Sequence, residues 1–210
     1  NTNVMKRILV LSFILISFFN ANATHIMGGE ITWECIKDPA NPDVGKYIFK
    51  MKIYRDCDGI TLSTSSQYID VWGHPSITQI TLDWIESNDI TPDGNSVNSG
   101  NNCLDCASND PGAVEEYIFE SQPVSLPGIP PVGGWHFTWD SCCRNGAISN
   151  LLILDPANPD EGFTLRASMF SYLDVNGNLL PADPCFDNSP KFNESPKTII
   201  CIGYPFSYTH

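Results

Sequence analysis

Cys103-Leu104-Asp105-Cys106 has the spacing of a redox dithiol or of half a zinc site, the two chemistries open to such a pair. It lies in a stretch rich in Gly, Asn, Asp and Ser, without the helix start that lowers a redox thiol's pKa, so a structural bridge is the better reading. His136 and Asp140 have the residue types of a general base and its orienting acid, and strand alternation would put them on one face. A triad needs a nucleophile too, so both are read as surface residues. Asp174-Val175-Asn176-Gly177-Asn178 opens like a calcium loop. The bidentate acid of such a loop would fall on Cys185, however, and Asn176-Gly177 reads better as a hairpin turn. The sequence contains no Gly-x-Ser-x-Gly elbow, no His-Glu-x-x-His and no phosphate loop, and His25, His74, His136 and His210 are scattered. We expect no catalytic residue, no metal and no cofactor, hence no enzyme; a secreted hydrolase ranks last among the functions considered.

Thiol chemistry remains. Cys35, Cys57, Cys103, Cys106, Cys142, Cys143, Cys185 and Cys201 all follow a segment laid out for export. Met5-Lys6-Arg7 is a basic start, Ile8 to Phe19 is uncharged and apolar, and Ala21-Asn22-Ala23 offers small residues to a signal peptidase. That apolar run is shorter than the roughly 20 residues of a membrane span. Residues 1–23 are therefore expected to be a signal peptide, starting at Met5 and cleaved after Ala23. In an exported chain an even number of cysteines reads as disulfides before zinc, and all eight are disulfide candidates.

The charge is strongly acidic, −13 overall and −15 once Lys6 and Arg7 leave with the signal. Such a surface repels nucleic acid and anionic membranes. It is read as a solvated face rather than as a collector of divalent cations. Four residues precede Met5 and the chain stops at His210 with no turn or polar tail, which reads as part of a longer frame.

The elements that must carry these residues alternate with period two, the mark of half-buried strands. Ile31, Trp33 and Cys35 share one face against Glu30, Thr32 and Glu34. Tyr47, Phe49, Met51 and Ile53 point inward and Lys50 and Lys52 outward, so a hairpin across Asp38 to Gly45 is expected. Ile80, Leu82 and Trp84, then Trp135, Phe137 and Trp139, then Phe163, Leu165, Ala167 and Met169 repeat the pattern. No helical periodicity competes, and 16 prolines and 15 glycines punctuate the chain. The fold expected is all-β: an Ig-like or jelly-roll-like antiparallel sandwich stabilised by disulfides. Ser87 to Pro111 is polar, yet its two cysteines argue that part of it is tied down. The proline-rich Ser125 to Gly134 suits a connecting loop. Asp38-Pro39-Ala40-Asn41-Pro42-Asp43 recurs as Asp155-Pro156-Ala157-Asn158-Pro159-Asp160, which reads as two similar turns.

Strand parity constrains the bridges. Cys142 and Cys143 are neighbours facing opposite ways, so they should take different partners. Cys143 shares the parity of Trp135, Phe137 and Trp139, and a bridge from Cys35 to Cys143 between sheets is expected. The hairpin puts Cys35 opposite Tyr47 or Ile48, not Cys57. Cys57, Cys103, Cys106 and Cys142 would share two bridges, leaving Cys185 to join Cys201.

Of the five tryptophans, Trp33, Trp84, Trp135 and Trp139 fall on apolar faces and are expected in the core. Trp72, with Tyr68 and Asp70 on its face, is the candidate for an exposed, ligand-facing position.

Three segments carry a resemblance: Thr24-His25-Ile26-Met27-Gly28-Gly29-Glu30-Ile31-Thr32-Trp33-Glu34-Cys35, Ile53-Tyr54-Arg55-Asp56-Cys57, and Gly133-Gly134-Trp135-His136 with Cys142-Cys143-Arg144-Asn145-Gly146. In this order they resemble the N-terminal module of large Bacteroidetes cell-surface proteins of the gliding-motility-associated, PKD-domain type. Asn188-Ser189-Pro190-Lys191-Phe192, followed by Cys201 and Phe206, looks like the entry to a cadherin-like or PKD-like sandwich. The resemblance implies a module over 24–172, a linker or hairpin over 173–187 and the start of a second sandwich over 188–210. It also implies secretion or cell-surface display, through the type IX system in such proteins, and a non-enzymatic structural or adhesive role in attachment or gliding. A carbohydrate-binding module is the alternative. Partners would be other domains of the same long chain, surface glycans or extracellular proteins, with no nucleic acid and no membrane insertion after signal cleavage.

Overall fold

The computed structural model describes residues 26–91, 104–142, 144–145, 162–173, 176–178, 185 and 187–192. The leader at 1–23, the second hexapeptide, Cys103, Cys143, Cys201 and residues 193–210 lie outside the described residues.

The alternating segments form strands: β1 (Ile26–Cys35), β2 (Tyr47–Asp56), β3 (Gln67–Trp72), β4 (Gln79–Asp89), β5 (Val114–Glu120), β6 (Trp135–Ser141) and β7 (Phe163–Met169). All pairings between them are antiparallel, in the order β1-β2-β5-β4-β3-β6-β7. Instead of two separate sheets, the described residues make one sheet that curls into a nearly closed barrel, with β1 and β7 brought against each other. The curl is made by β4. Its first half pairs with β3, a bulge falls between Trp84 and Glu86, and its second half pairs with β5. A bulge adds local twist and bends the strand, which is what a corner requires.

That corner corrects the expectation for Trp84. Ile80 and Leu82 are buried as their parity demands, but Trp84 is 40% exposed because the core-facing alternation ends at the bulge. The other parity assignments agree with the structure. Ile31, Trp33, Tyr47, Phe49, Met51, Trp135, Phe137, Leu165 and Met169 are all buried in one core. The Phe137 ring lies 5.6 Å from that of Trp33 and 4.7 Å from that of Phe49, centroid to centroid, so β6 packs across the barrel onto β1 and β2. Such offset aromatic contacts add to the stabilisation from burial.

The first hairpin follows the expected register, with Cys35 opposite Tyr47. Its turn is built by the hexapeptide: Asp38 Oδ1 accepts from the Ala40 amide (2.9 Å), Asn41 Oδ1 from that of Asp43 (2.9 Å), and Lys46 Nζ pairs with Asp43 (2.6 Å). These side-chain caps are why Asp, Asn and Pro recur there. Within Ser87 to Pro111, the Ser87–Asp89 end belongs to β4, and a 3-10 turn, Cys106–Ser108, is capped by Asp105.

Two bridges lie wholly among the described residues. Cys57 joins Cys106, within the group of four expected to pair among themselves. Cys35 joins Cys185, which overturns both the Cys35–Cys143 and the Cys185–Cys201 assignments. Parity correctly put Cys35 on the buried side, but it says nothing about which distant segment returns there. Residues 188–189 run along the outer edge of β1: the Trp33 amide donates to Ser189 Oγ (2.8 Å), the Ser189 amide to the Trp33 carbonyl (3.1 Å), and the Cys35 amide to Asn188 Oδ1 (2.8 Å). An edge that would otherwise invite another chain is thereby covered. Cys142 is also disulfide-bonded, to a residue outside those described.

At the seam between β1 and β7 the close approach depends on Gly29. A Cβ there would sit 2.6 Å from the Lys52 carbonyl oxygen and 2.8 Å from Leu165 Cδ1. Only glycine lets the Leu165 side chain of β7 close over β1.

Candidate functional site

Parts of the three sequence segments set apart above, Ile26, Arg55 to Cys57, and Arg144 with Asn145, converge at one end of β2. Asp56 Oδ1 accepts from the Gly112 amide (2.9 Å) and the Asp58 amide (3.2 Å), while Oδ2 accepts from Asn145 Nδ2 (2.9 Å). The Asn145 amide in turn donates to the Ile26 carbonyl (2.9 Å), and Ile26 and Arg144 form an isolated parallel bridge. Arg55, buried beside them, donates from Nε (3.0 Å) and Nη2 (2.6 Å) to Glu115 Oε2, and from Nη1 to the Gly59 carbonyl (2.6 Å). Cys57 anchors the cluster through its bridge to Cys106. A buried guanidinium is tolerated because a carboxylate and several carbonyls occupy its donors. The geometry is that of a structural tie. Among the described residues no group of three or more His, Cys, Asp or Glu is placed to hold a metal ion.

His136 and Asp140 do not meet. His136 Nδ1 is hydrogen-bonded to Ser168 Oγ (2.8 Å), and Asp140 accepts from the Thr164 hydroxyl. Cys106 is committed to its bridge, so the C-x-x-C pair is no free dithiol.

Two surfaces remain. The outer face of β1 and β2 holds a depression of about 530 Å3 lined by Glu30, Glu34, Lys50, Lys52, Glu120 and Lys191. Its charges cancel in pairs: Lys50 with Glu120 (3.1 Å), Lys52 with Glu116 (3.0 Å), Lys191 with Glu34 (2.5 Å). Lys191 holds the Glu34 carboxyl below the usual range. Beside it, burial and the nearby charges of Glu30 and Glu116 push the Tyr54 phenol well up, and its hydroxyl donates to Glu30 Oε1 (3.2 Å). So compensated a surface offers no field to steer a charged ligand.

The second surface is the outer face of β3 and its neighbours. Tyr68 and Trp72 are 53% and 58% exposed, and Asp70 lies between them on the same face. Register adds what the sequence alone did not: Trp72 sits opposite His136, and Asp70 opposite both Thr138 and Gln79. The Trp72 indole donates to Thr138 Oγ1 (2.9 Å) and Gln79 Nε2 to Asp70 Oδ1 (3.2 Å), so this ring and this carboxylate are held in place. Phe170, 55% exposed just beyond β7, meets the His136 ring edge-on at 6.5 Å. Gly134, at φ 80°, makes room for it, since a Cβ there would lie 2.9 Å from Phe170 Cδ1. The Gly133-Gly134 pair was the only sequence sign of this close approach.

Comparison of the chain with protein-family models, with curated proteins and with solved structures returned no match.

Proposed function

We propose that this chain is a non-enzymatic, secreted or cell-surface structural module with an adhesive role, part of a long surface protein of the gliding-motility-associated, PKD-domain kind. One observation carries the reading: the residues with most chemical potential, Arg55, Asp56, Cys57, Cys106 and Asn145, are committed to tying strands and loops together. Disulfides of this sort persist in oxidising compartments, in keeping with an exported chain. In this reading the curled sheet is the module that the chain contributes, and 188–210 leads into a cadherin-like or PKD-like sandwich. The partners are neighbouring domains of the same chain and extracellular glycans or proteins, and display through the type IX system is part of the proposal.

The test uses intact cells producing the chain with an epitope after His210. Added protease should remove the epitope without permeabilisation, and beads coated with the purified chain should adhere to a surface that bare beads do not hold. An epitope protected until lysis, or coated beads that behave like bare ones, would refute the reading.

A further inference from the structure

The outer face of β3, β6 and β7 combines features that a solvated sheet face does not need. Trp72, His136 and Phe170 form a row of rings across the three strands, and Tyr68 stands four residues from Trp72 along β3. At about 3.3 Å per residue that separation is roughly 13 Å. Singly exposed aromatics are ordinary. Here, however, the Trp72 indole N–H is engaged with the sheet while most of the ring stays open to water, and the Phe170 ring occupies space that only a glycine at 134 leaves. Between the rings lie polar groups whose lone pairs and protons are only partly used: Asp70, Gln79, Thr138 and Ser168.

We propose that this face binds a neutral polysaccharide, laid across it with sugar rings against Trp72 and Tyr68. A pyranose has an apolar C–H face and a rim of hydroxyls, matching rigid rings set among carboxylate, amide and hydroxyl groups. Tyr and Trp give large contact area at low entropic cost. An open face of exposed rings favours a polymer over a small molecule, which needs a concave site; the depression on the outer face of β1 and β2 lies elsewhere, and one at the β1–β7 seam, lined by Arg166 and Ser168 among others, borders this face without including its rings. Charge selects for neutrality. Asp70, Asp83 and Asp140 on the outward positions outnumber Arg166, and the chain as a whole carries −13, so sulfated or uronate-rich chains are repelled. The inference names a ligand for the attachment reading and rests on it for its biological setting, whereas binding itself is measured on the purified chain.

Affinity electrophoresis in gels containing xyloglucan, galactomannan, dextran or laminarin, with polygalacturonate and chondroitin sulfate as anionic controls, tests it. At least one neutral polymer should retard the chain. Trp72→Ala should weaken that retardation at least tenfold and Tyr68→Ala/Trp72→Ala should abolish it, with unchanged far-UV circular dichroism. Trp84→Ala, an exposed ring of opposite strand parity, should leave it intact. No retardation by any neutral polymer, retardation by the anionic ones alone, or retardation indifferent to the double substitution would overturn the proposal. So would a self-association of the chain that the double substitution removes, since the face would then be a contact between copies. Coated beads that still adhere while no polymer binds would overturn this inference and leave the attachment reading standing.

Discussion

Arg55 shows what single residues do in this molecule. Its guanidinium is nearly inaccessible and makes charge-assisted bonds to Glu115 and to loop carbonyls. Taking away one partner of such a pair strands the other in a poor solvent, at about 3 to 5 kcal/mol. Arg55→Met should lower unfolding free energy in urea by about 3 kcal/mol, and a change below about 0.5 kcal/mol would mean that Glu115 is hydrated without it. His74 is a second case. Its Nδ1 accepts from the amides of Ile77 (3.0 Å) and Ser76 (3.2 Å), its ring packs on Trp135 at 4.6 Å, and burial holds its pKa below the ordinary value. The unfolded chain takes up this proton near pH 6.5, about the free value; the folded chain does so only at lower pH. This contribution to stability is therefore complete above about pH 7 and is lost as pH falls through 6.5 toward the folded value. His74→Asn keeps an acceptor for the amides and removes the titration. The loss of stability between about pH 7.5 and 5.5 should be smaller in that variant than in the parent, and equal losses would exclude a role for this imidazole.

Among the elements, β1 and β7 meet at the point where the barrel is least secure, because side chains and not a hydrogen-bonded ladder join them. Gly29→Ala should cost about 2 kcal/mol in thermal or urea unfolding. Combining it with Leu165→Ala should not restore stability, because the nearer obstacle is the Lys52 carbonyl, which cannot rotate away. Full rescue would show that the side chain alone sets the distance. The same elements show what local pattern encodes. Alternation marked β1, β2, β6 and β7 directly, and it placed Tyr68, Asp70 and Trp72 outward. β5 escaped it, since Glu116 is buried beside Lys52 on the face away from Tyr117 and Phe119, so both faces read as mixed. Trp84 keeps the core parity, opposite the buried Phe119, but stands just before the bulge where the sheet turns and is left 40% exposed, a corner that has no sequence signal of its own. The row Trp72, His136 and Phe170 depends on which strands become neighbours, and strand order is a long-range outcome that period-two patterning does not carry.

For the molecule as a whole, the two described bridges do different work. Cys57–Cys106 ties a polar loop to the cluster around Arg55 and Asp56, whereas Cys35–Cys185 spans a sequence separation of 150 and holds the returning segment against the open edge of β1. Cys35→Ala/Cys185→Ala should lose about 3 kcal/mol and, with the edge uncovered, should associate in proportion to concentration by light scattering. Monomeric behaviour at unchanged stability would show that Asn188 and Ser189 suffice to hold the segment. The central claim, on which the proposed function rests, is that oxidised cysteines tie the strands and loops of this chain together. It is tested most directly by mass spectrometry of a non-reducing digest of chain recovered from intact cells, after alkylation. The account predicts one linked pair of peptides containing Cys35 and Cys185, another containing Cys57 and Cys106, and no alkylated thiol among these four; alkylation of Cys57 or Cys106, or Cys35 joined to Cys143, would contradict it.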